Sequence, residues 1–323
     1  MKEFKKIKPS SIVWLVITIV LSILIYILTV NKIIKSSNQM LLAQIIISVI
    51  TALSLNLIIG VTGQFSLGHA GYMAIGAYSS GLITKSIGGY PGLFIGIIVG
   101  IIISIIFSLI VAIPTMRLKG DYLAIATLGF AEIIRIIIVN VPFTNGAVGL
   151  GGIPKIVTVP ILFIFMIFTI VFITFLYRSR FGRALNAIRD DEIASSAVGI
   201  NVSKYRILAF IVGASFASIA GSLYANYYSF IQPGEFDFNK SIDILVIVVL
   251  GGLGNFTGSI LAAISFGLLN IVLQQYPDIR MIIYSLVLIL IMILKPKGLL
   301  GNYEFSLKKL LDKEDKHESI ENK

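Results

Sequence analysis

The residues in this sequence that could do chemistry are few, and most are set between apolar runs. Residues 63–71 read Gly-Gln-Phe-Ser-Leu-Gly-His-Ala-Gly, which places Gln64, Ser66, Gly68 and His69 close together. A glycine-rich polar stretch in that position suggests a broken or re-entrant helix. Irregular backbone at membrane depth persists only where protein or a watery cavity satisfies it. Such breaks line solute sites, because free helix N-termini attract carboxylates. The plainer reading is an interfacial turn, with His69 a packed, hydrogen-bonded side chain rather than a proton relay. Glu132 and Arg135 stand three apart in the apolar run 127–138 and therefore on one helix face. Ionised side chains in such a run turn toward the bundle interior or a cavity, and pairing offsets part of their desolvation. They read as a structural clamp or as a solute contact. Asp243 is the other carboxylate inside an apolar run, and Asn145 lies in the glycine-rich loop 144–154, which is a connector, a lid or a docking surface.

Enzyme signatures are missing. No G-x-x-x-x-G-K-[ST] occurs, so the chain has no Walker A cradle for ATP phosphates, and no H-E-x-x-H occurs. The run 251–258 fails G-x-G-x-x-G because Thr257 stands where the last glycine should be. His69 and His317 are the only histidines and cysteine is absent, which excludes multi-histidine and thiolate metal sites and disulfides alike. The sequence assigns no catalytic residue, no metal site and no bound cofactor.

One polar stretch differs in kind. Residues 181–199, FGRALNAIRDDEIASSAVG, read as a single amphipathic helix over 182–199, with Gly199 in the C-cap position. Arg183 and Arg189 stand near Asp190, Asp191 and Glu192. A chain that merely turns back at a membrane needs a few residues. A full helix lying along the bilayer needs a protein partner or a headgroup layer, and the mixed charge argues against simple attraction to anionic lipid.

The elements that must position these residues are apolar helices. Of the 323 residues, 57% are hydrophobic and 13% charged. Soluble domains carry roughly 25% charged residues, and no water-soluble fold hides this much apolar surface. The net charge of +10 is scattered at helix ends, which excludes a nucleic-acid-binding face. Helices are predicted near 12–30, 41–59, 67–84, 91–113, 121–140, 157–177, 205–228, 241–251, 256–274 and 279–294. Two of them, 67–84 and 241–251, are short for a full span, so the count is ten crossings, or eight with two re-entrant half-helices. The run 12–30 is long enough to span and reads as a retained first helix. With the N-terminus inside, the outer side collects Lys32, Lys35, Lys85, Lys155, Lys240 and Arg280. Arg135 is left in the membrane, and the rest of the 26 Lys and Arg fall inside. That asymmetry puts both termini in the cytoplasm. The expected fold is an all-α, polytopic transmembrane bundle in the cell membrane, without a soluble domain. It has a cytoplasmic N-terminus at 1–11, a membrane domain at 12–294 and a solvated cytoplasmic tail at 295–323. Gly92, Gly96 and Gly100 share one helix face, as do Gly213, Ala217, Gly221 and Ala225, and such faces let backbones pack closely in lipid.

Taken together, these stretches resemble the permease subunits of ATP-binding-cassette importers for branched-chain amino acids, the LivM type in particular. The resemblance rests on LSLNL (53–57), GQFSLGHAGYMAIGAY (63–78), KGDYLAIATLGFAEIIR (119–135) and TNGAVGLGGIP (144–154). It continues through residues 181–210, SIDILVIVVLGGLGNFTGSILAA (241–263) and the closing KPKGLLG. The resemblance implies a heterodimer with a second permease, two cytoplasmic ATPases that bind ATP and magnesium, and an extracytoplasmic substrate-binding protein. It also implies that 182–199 is the coupling helix that seats in an ATPase groove, with Gly182, Arg183, Ala187, Arg189, Asp190, Glu192, Ala194, Ala197 and Gly199 on the contact surface. Ser195-Ser196 departs from the Ala-Glu that relatives often carry. No motif fixes the solute path, for which Gln64, Ser66, Gly68, His69, Glu132, Arg135, Asn145 and Asp243 are the candidates from the residues themselves. Related permeases serve urea and other small solutes, so the resemblance alone leaves the cargo open. The competing readings are a stand-alone channel or secondary carrier and, less well supported, a membrane-embedded enzyme.

Overall fold

The structure, a computed structural model, describes residues 36–115, 118, 120–273, 283, 286 and 289. The expected first helix at 12–30, most of the last at 279–294 and both termini lie outside these residues. The described chain is almost wholly helical. It comprises α1 (Ser36–Asn56), α2 (His69–Ile87), α3 (Gly89–Thr115), α4 (Asp121–Asn140), α5 (Val159–Arg178), α6 (Arg180–Asp190), α7 (Glu192–Ala197), α8 (Val202–Tyr228), α9 (Phe238–Gly251) and α10 (Phe256–Leu273). The strands β1 (Leu150–Gly151) and β2 (Phe230–Ile231) pair antiparallel, Leu150 opposite Ile231. Among the described residues, five helices are long and apolar enough to cross a membrane: α1 with its final turn, α3, α4, α5 and α8.

One core is the seam of α2, α3 and α8. Small residues make it possible. On α3, Gly92, Gly96, Gly100, Ser104 and Ser108 are buried, while Ile98, Ile102, Ile106 and Ile110 on the opposite face are exposed. A Cβ on Gly96 would crowd Ser80 of α2, one on Gly76 would overlap the Ser218 backbone of α8, and one on Gly221 would overlap the Met73 carbonyl. The glycine faces read from the sequence are thus packing faces. The exposed isoleucines form a stripe suited to lipid. Buried hydroxyls add polar ties across the seam: Ser104 Oγ donates to the Ala214 carbonyl at 3.0 Å and Ser222 Oγ to that of Gly76 at 3.0 Å.

The second core gathers Leu53, Leu55 and Leu57 from the end of α1, Leu185 of α6, and Ile247, Leu250 and Phe266 from α9 and α10. Its helices are interrupted. α1 widens into a π-helical turn at Leu57–Val61, and the chain then runs without helix from 63 to 68 before α2. α9 has 14 residues, about 21 Å at 1.5 Å per residue, against a hydrocarbon core of about 30 Å. It ends at Gly251, and the chain turns through Gly252 (φ 101°) and Gly254 (φ 84°) into α10, which packs back on α9 and α1.

The predicted single helix over 182–199 is two helices. Asp191 is extended (φ −153°, ψ 111°) and separates α6 from α7, with its carboxylate accepting from the Ile193 and Ala194 amides at 2.9 Å each. Asp favours this capping role over a helix interior because its short side chain satisfies amides that would otherwise lack a partner. Ser179 caps α6 in the same way. Gly199 does end the segment, at φ 87°.

Candidate functional site

The break before α2 is real, and protein rather than open space satisfies it. The Leu67 amide donates to Thr127 Oγ1 of α4 at 3.0 Å, and the Ala70 amide to Ser241 Oγ of α9 at 3.2 Å. A Cβ on Gly68 would press on the Thr127 carbonyl. His69 Nε2 sits 2.6 Å from Ser54 Oγ of α1, while its buried Nδ1 has no hydrogen-bond partner among the described residues. Gln64, Ser66, Gly68 and His69 are all buried and form one polar seam between α1, α2, α4 and α9. His69 is therefore a packed histidine tied to α1.

The other path candidates lie elsewhere. Arg135 pairs with Glu132, Nε to Oε1 at 2.8 Å, and both stay partly exposed on α4. They clamp each other and do not face the buried seam. Asn145 holds a tight turn in the left-handed region (φ 65°), with Nδ2 donating to the Gly149 carbonyl. The loop around it is a bolted connector. Besides the β1–β2 pair, Lys85 Nζ donates to the Gly151 carbonyl at 2.9 Å and the Val157 amide to the Asn226 carbonyl. Asp243 lines a polar cavity between α1, α2, α8, α9 and α10, together with Gln44, Ser48, Thr51, Lys240 and Tyr224. The stripe Gln44, Ser48 and Thr51 was legible as polar residues three and four apart on α1. The cavity volume is about 50 Å³. That is room for ordered water beside Asp243. No group of three His, Cys, Asp or Glu able to hold a metal occurs among the described residues.

The α6–α7 pair stands at the end of the bundle opposite the β1–β2 pair, and its surface divides in two. Arg183, Ala187, Asp190, Ala194, Ala197 and Gly199 are exposed. Between them Ile193 and Val198 are 81% and 77% exposed, apolar side chains that the charge pattern had masked. Gly182, Glu192 and Ser195 turn toward the bundle, and Arg189, itself exposed, reaches back to it. Gly182 is buried in the elbow with α5, where a Cβ would overlap the Tyr177 carbonyl. Glu192 pairs with Arg206 of α8 at 3.0 Å and so tethers α7 to the bundle. Buried Ser195, part of the unfamiliar Ser195-Ser196, faces the protein. Arg189 extends its guanidinium to the end of α1 and donates from Nη1 to the Gly60 carbonyl at 2.6 Å.

Sequence reasoning missed what surrounds Gly60. Asn56 Nδ2 donates to the Asn255 carbonyl (3.1 Å) and Ser259 Oγ (2.8 Å), and its Oδ1 accepts from the Gly254 amide (2.8 Å). Asn56 is fully buried. The available signal was a lone asparagine in an apolar run, which must find partners there.

Residues 37–294 match the family described as the permease component of branched-chain amino acid transport systems. The chain is 32% identical to the high-affinity branched-chain amino acid transport system permease protein LivM of Escherichia coli, over 79% of this chain and 68% of that protein. The LivM protein of Salmonella typhimurium is 31% identical over the same shares. The permease protein LivH of Escherichia coli is 30% identical over 40% of this chain and 42% of its own. No solved structure matches.

Proposed function

The chain belongs to the family of permease components of branched-chain amino acid transport systems, and on that premise we propose that it carries leucine, isoleucine and valine inward as the membrane-spanning subunit of an ATP-binding-cassette importer. It is a transport subunit without an ATP cradle of its own, so ATP and magnesium belong to two partner ATPases. A second permease completes a heterodimer. The similarity to both LivM and LivH supports two related permeases in one system. An extracytoplasmic binding protein delivers the solute, and both termini face the cytoplasm.

The observation that carries this reading is the outward face of α6–α7. Two apolar side chains, Ile193 and Val198, stand almost fully exposed among alanines and charges. Burying them against an ATPase releases ordered water, at about 25 cal/mol per Å² of apolar surface. ATP-driven closure of the ATPases then displaces α6–α7 and tips the bundle between outward and inward access. The seam of Gln64, Ser66, Gly68 and His69, with Asp243, supplies the polar groups of the solute route, and Glu132–Arg135 and Asn145 hold the clamp and the turn described above.

The test is Ala187→Pro. Proline in the interior of α6 removes a backbone donor and clashes with the preceding turn, while the spans are untouched. The variant is expected to insert normally and to lose solute-stimulated ATP hydrolysis in the assembled transporter. Unchanged stimulated hydrolysis overturns the coupling role. Solute uptake by this chain alone in liposomes without ATP would establish a stand-alone carrier instead. A melting-temperature shift of the binding protein with leucine, isoleucine and valine, and none with urea, checks the cargo.

A further inference from the structure

Three helix C-termini converge on one corner: those of α1 through its π-helical turn, of α9 at Gly251, and of α6 at Asp190. Carbonyls at helix C-termini carry partial negative charge, and a cation is favoured beside them. Arg189 is that cation. Its Nη1 donates to the Gly60 carbonyl at 2.6 Å. A Cβ on Gly254 would lie 2.6 Å from the same nitrogen and 3.1 Å from the Gly60 carbonyl, and a Cβ on Gly60 would overlap the Gly254 backbone. Two glycines without side chains leave room for the Nη1 end of Arg189, whose side chain is otherwise exposed. Asn56 fastens the two membrane elements to each other through Gly254, Asn255 and Ser259.

We infer that Arg189 is a positioning residue that joins α6–α7 to both interrupted elements of the bundle, the end of α1 and the α9–α10 turn, so that these move together when α6–α7 moves. Although its side chain is exposed beside the expected ATPase surface, its part is this joint rather than a contact for the ATPase. The end of α1 continues directly into the buried seam at 64–69, and α9 carries Asp243 and Ser241, the partner of the Ala70 amide. A shift at this one corner therefore reaches every polar residue of the break. Lysine replaces arginine only in part, because its ammonium is a point charge without the planar group that rests against Gly254 while donating to Gly60.

The inference rests on the ATPase reading for its transport consequence but not for its structural content, so two measurements separate them. The first uses the isolated full-length chain in detergent. Arg189→Ala is expected to raise amide hydrogen exchange at least tenfold in both 57–63 and 252–255, with the α2–α3–α8 seam unchanged and Arg189→Lys intermediate. Exchange that rises in neither segment, or in 57–63 alone, overturns the joint. The second uses the assembled transporter. Arg189→Ala is expected to retain its ATPases and their hydrolysis while solute moved per ATP falls at least tenfold, partly restored in Arg189→Lys. Loss of ATPase binding in Arg189→Ala would make Arg189 a partner contact and overturn the inference. If wild-type uptake proves independent of ATP, the functional reading fails, and the exchange result still decides the joint.

Discussion

The α2–α3–α8 seam and the corner at Gly60 and Gly254 are both places where backbones meet through glycine, yet they are built for opposite ends. In the seam the close approaches repeat along three continuous helices: Gly76 on Ser218, Gly96 on Ser80, Gly100 beside Gly76, and Gly221 on Met73. Each contact is backed by the next, and the buried hydroxyl ties of Ser104 and Ser222 run beside them. At the corner the glycines meet once, between helix ends, and Asn56 and Arg189 tie them. Repetition makes the seam stiff. Single ties between helix ends make a unit that shifts as a whole, because interrupted helices offer discrete alternative packings where continuous ones do not. A transporter needs both, a frame and a part that moves against it.

The largest effect is expected where repetition leaves no room. Gly76→Leu would force side-chain atoms into the Ser218 backbone carbonyl of α8. Overpacking a close-packed site costs about 3 kcal/mol or more when backbone must move. At about 2–4 °C per kcal/mol, the apparent melting temperature in detergent should fall by roughly 6–12 °C, or monodisperse protein should be lost on gel filtration. An unchanged melting temperature would show that the seam yields, and the contrast with the corner would collapse.

Asn56→Leu should do less harm to stability and more to selectivity of motion. It strands the Gly254 amide and withdraws the donor to the Asn255 carbonyl and Ser259. Leaving buried polar groups unpaired costs about 1–3 kcal/mol, and measured ties between membrane helices average near 0.6 kcal/mol each. A loss of a few degrees is expected, with faster hydrogen exchange confined to 57–61 and 252–259. Loosening that spreads into α2 or α8 would mean that the two regions are one cooperative unit.

How far the sequence showed this division depends on the kind of signal. The frame was legible: glycines four apart point to a close-packed face whatever the tertiary context, and the structure uses Gly92, Gly96, Gly100 and Gly221 that way, while Gly213 packs on Ser54 and Ile58 at the end of α1. The break at 63–68 was legible from its polarity, and the short helix α9 from its length. The corner was not. Asn56, Gly60 and Gly254 come together across about two hundred residues of chain, and only the fold gives that proximity. Arg189 looked like one charge among five on an amphipathic helix, and nothing local distinguished it from Arg183, equally exposed but bonded to the nearby Arg178 carbonyl instead. Asp191 misled for a local reason: helix-forming neighbours on both sides hid a capping residue that splits the segment.

The smallest effect should come from the connector at the far end, and it tests redundancy directly. Lys85 Nζ donates to the Gly151 carbonyl, a single tie resembling that of Arg189 to Gly60 in chemistry. Its setting differs. Both side chains are exposed, but Gly60 is buried and Gly151 only half-buried, and the same loop is already held by the β1–β2 pair, by Ile153 on the Ser229 carbonyl and by Val157 on the Asn226 carbonyl. Water replaces an exposed lysine's bond at little cost, so Lys85→Met is expected to shift the melting temperature by no more than about 1–2 °C, on the order of half a kcal/mol at the conversion used above, with transport intact and any faster exchange limited to 149–152. A drop as large as that of Asn56→Leu would mean that the connector hangs on one side chain after all. The loop would then belong with the corner, among the parts held by single ties, and not with the frame.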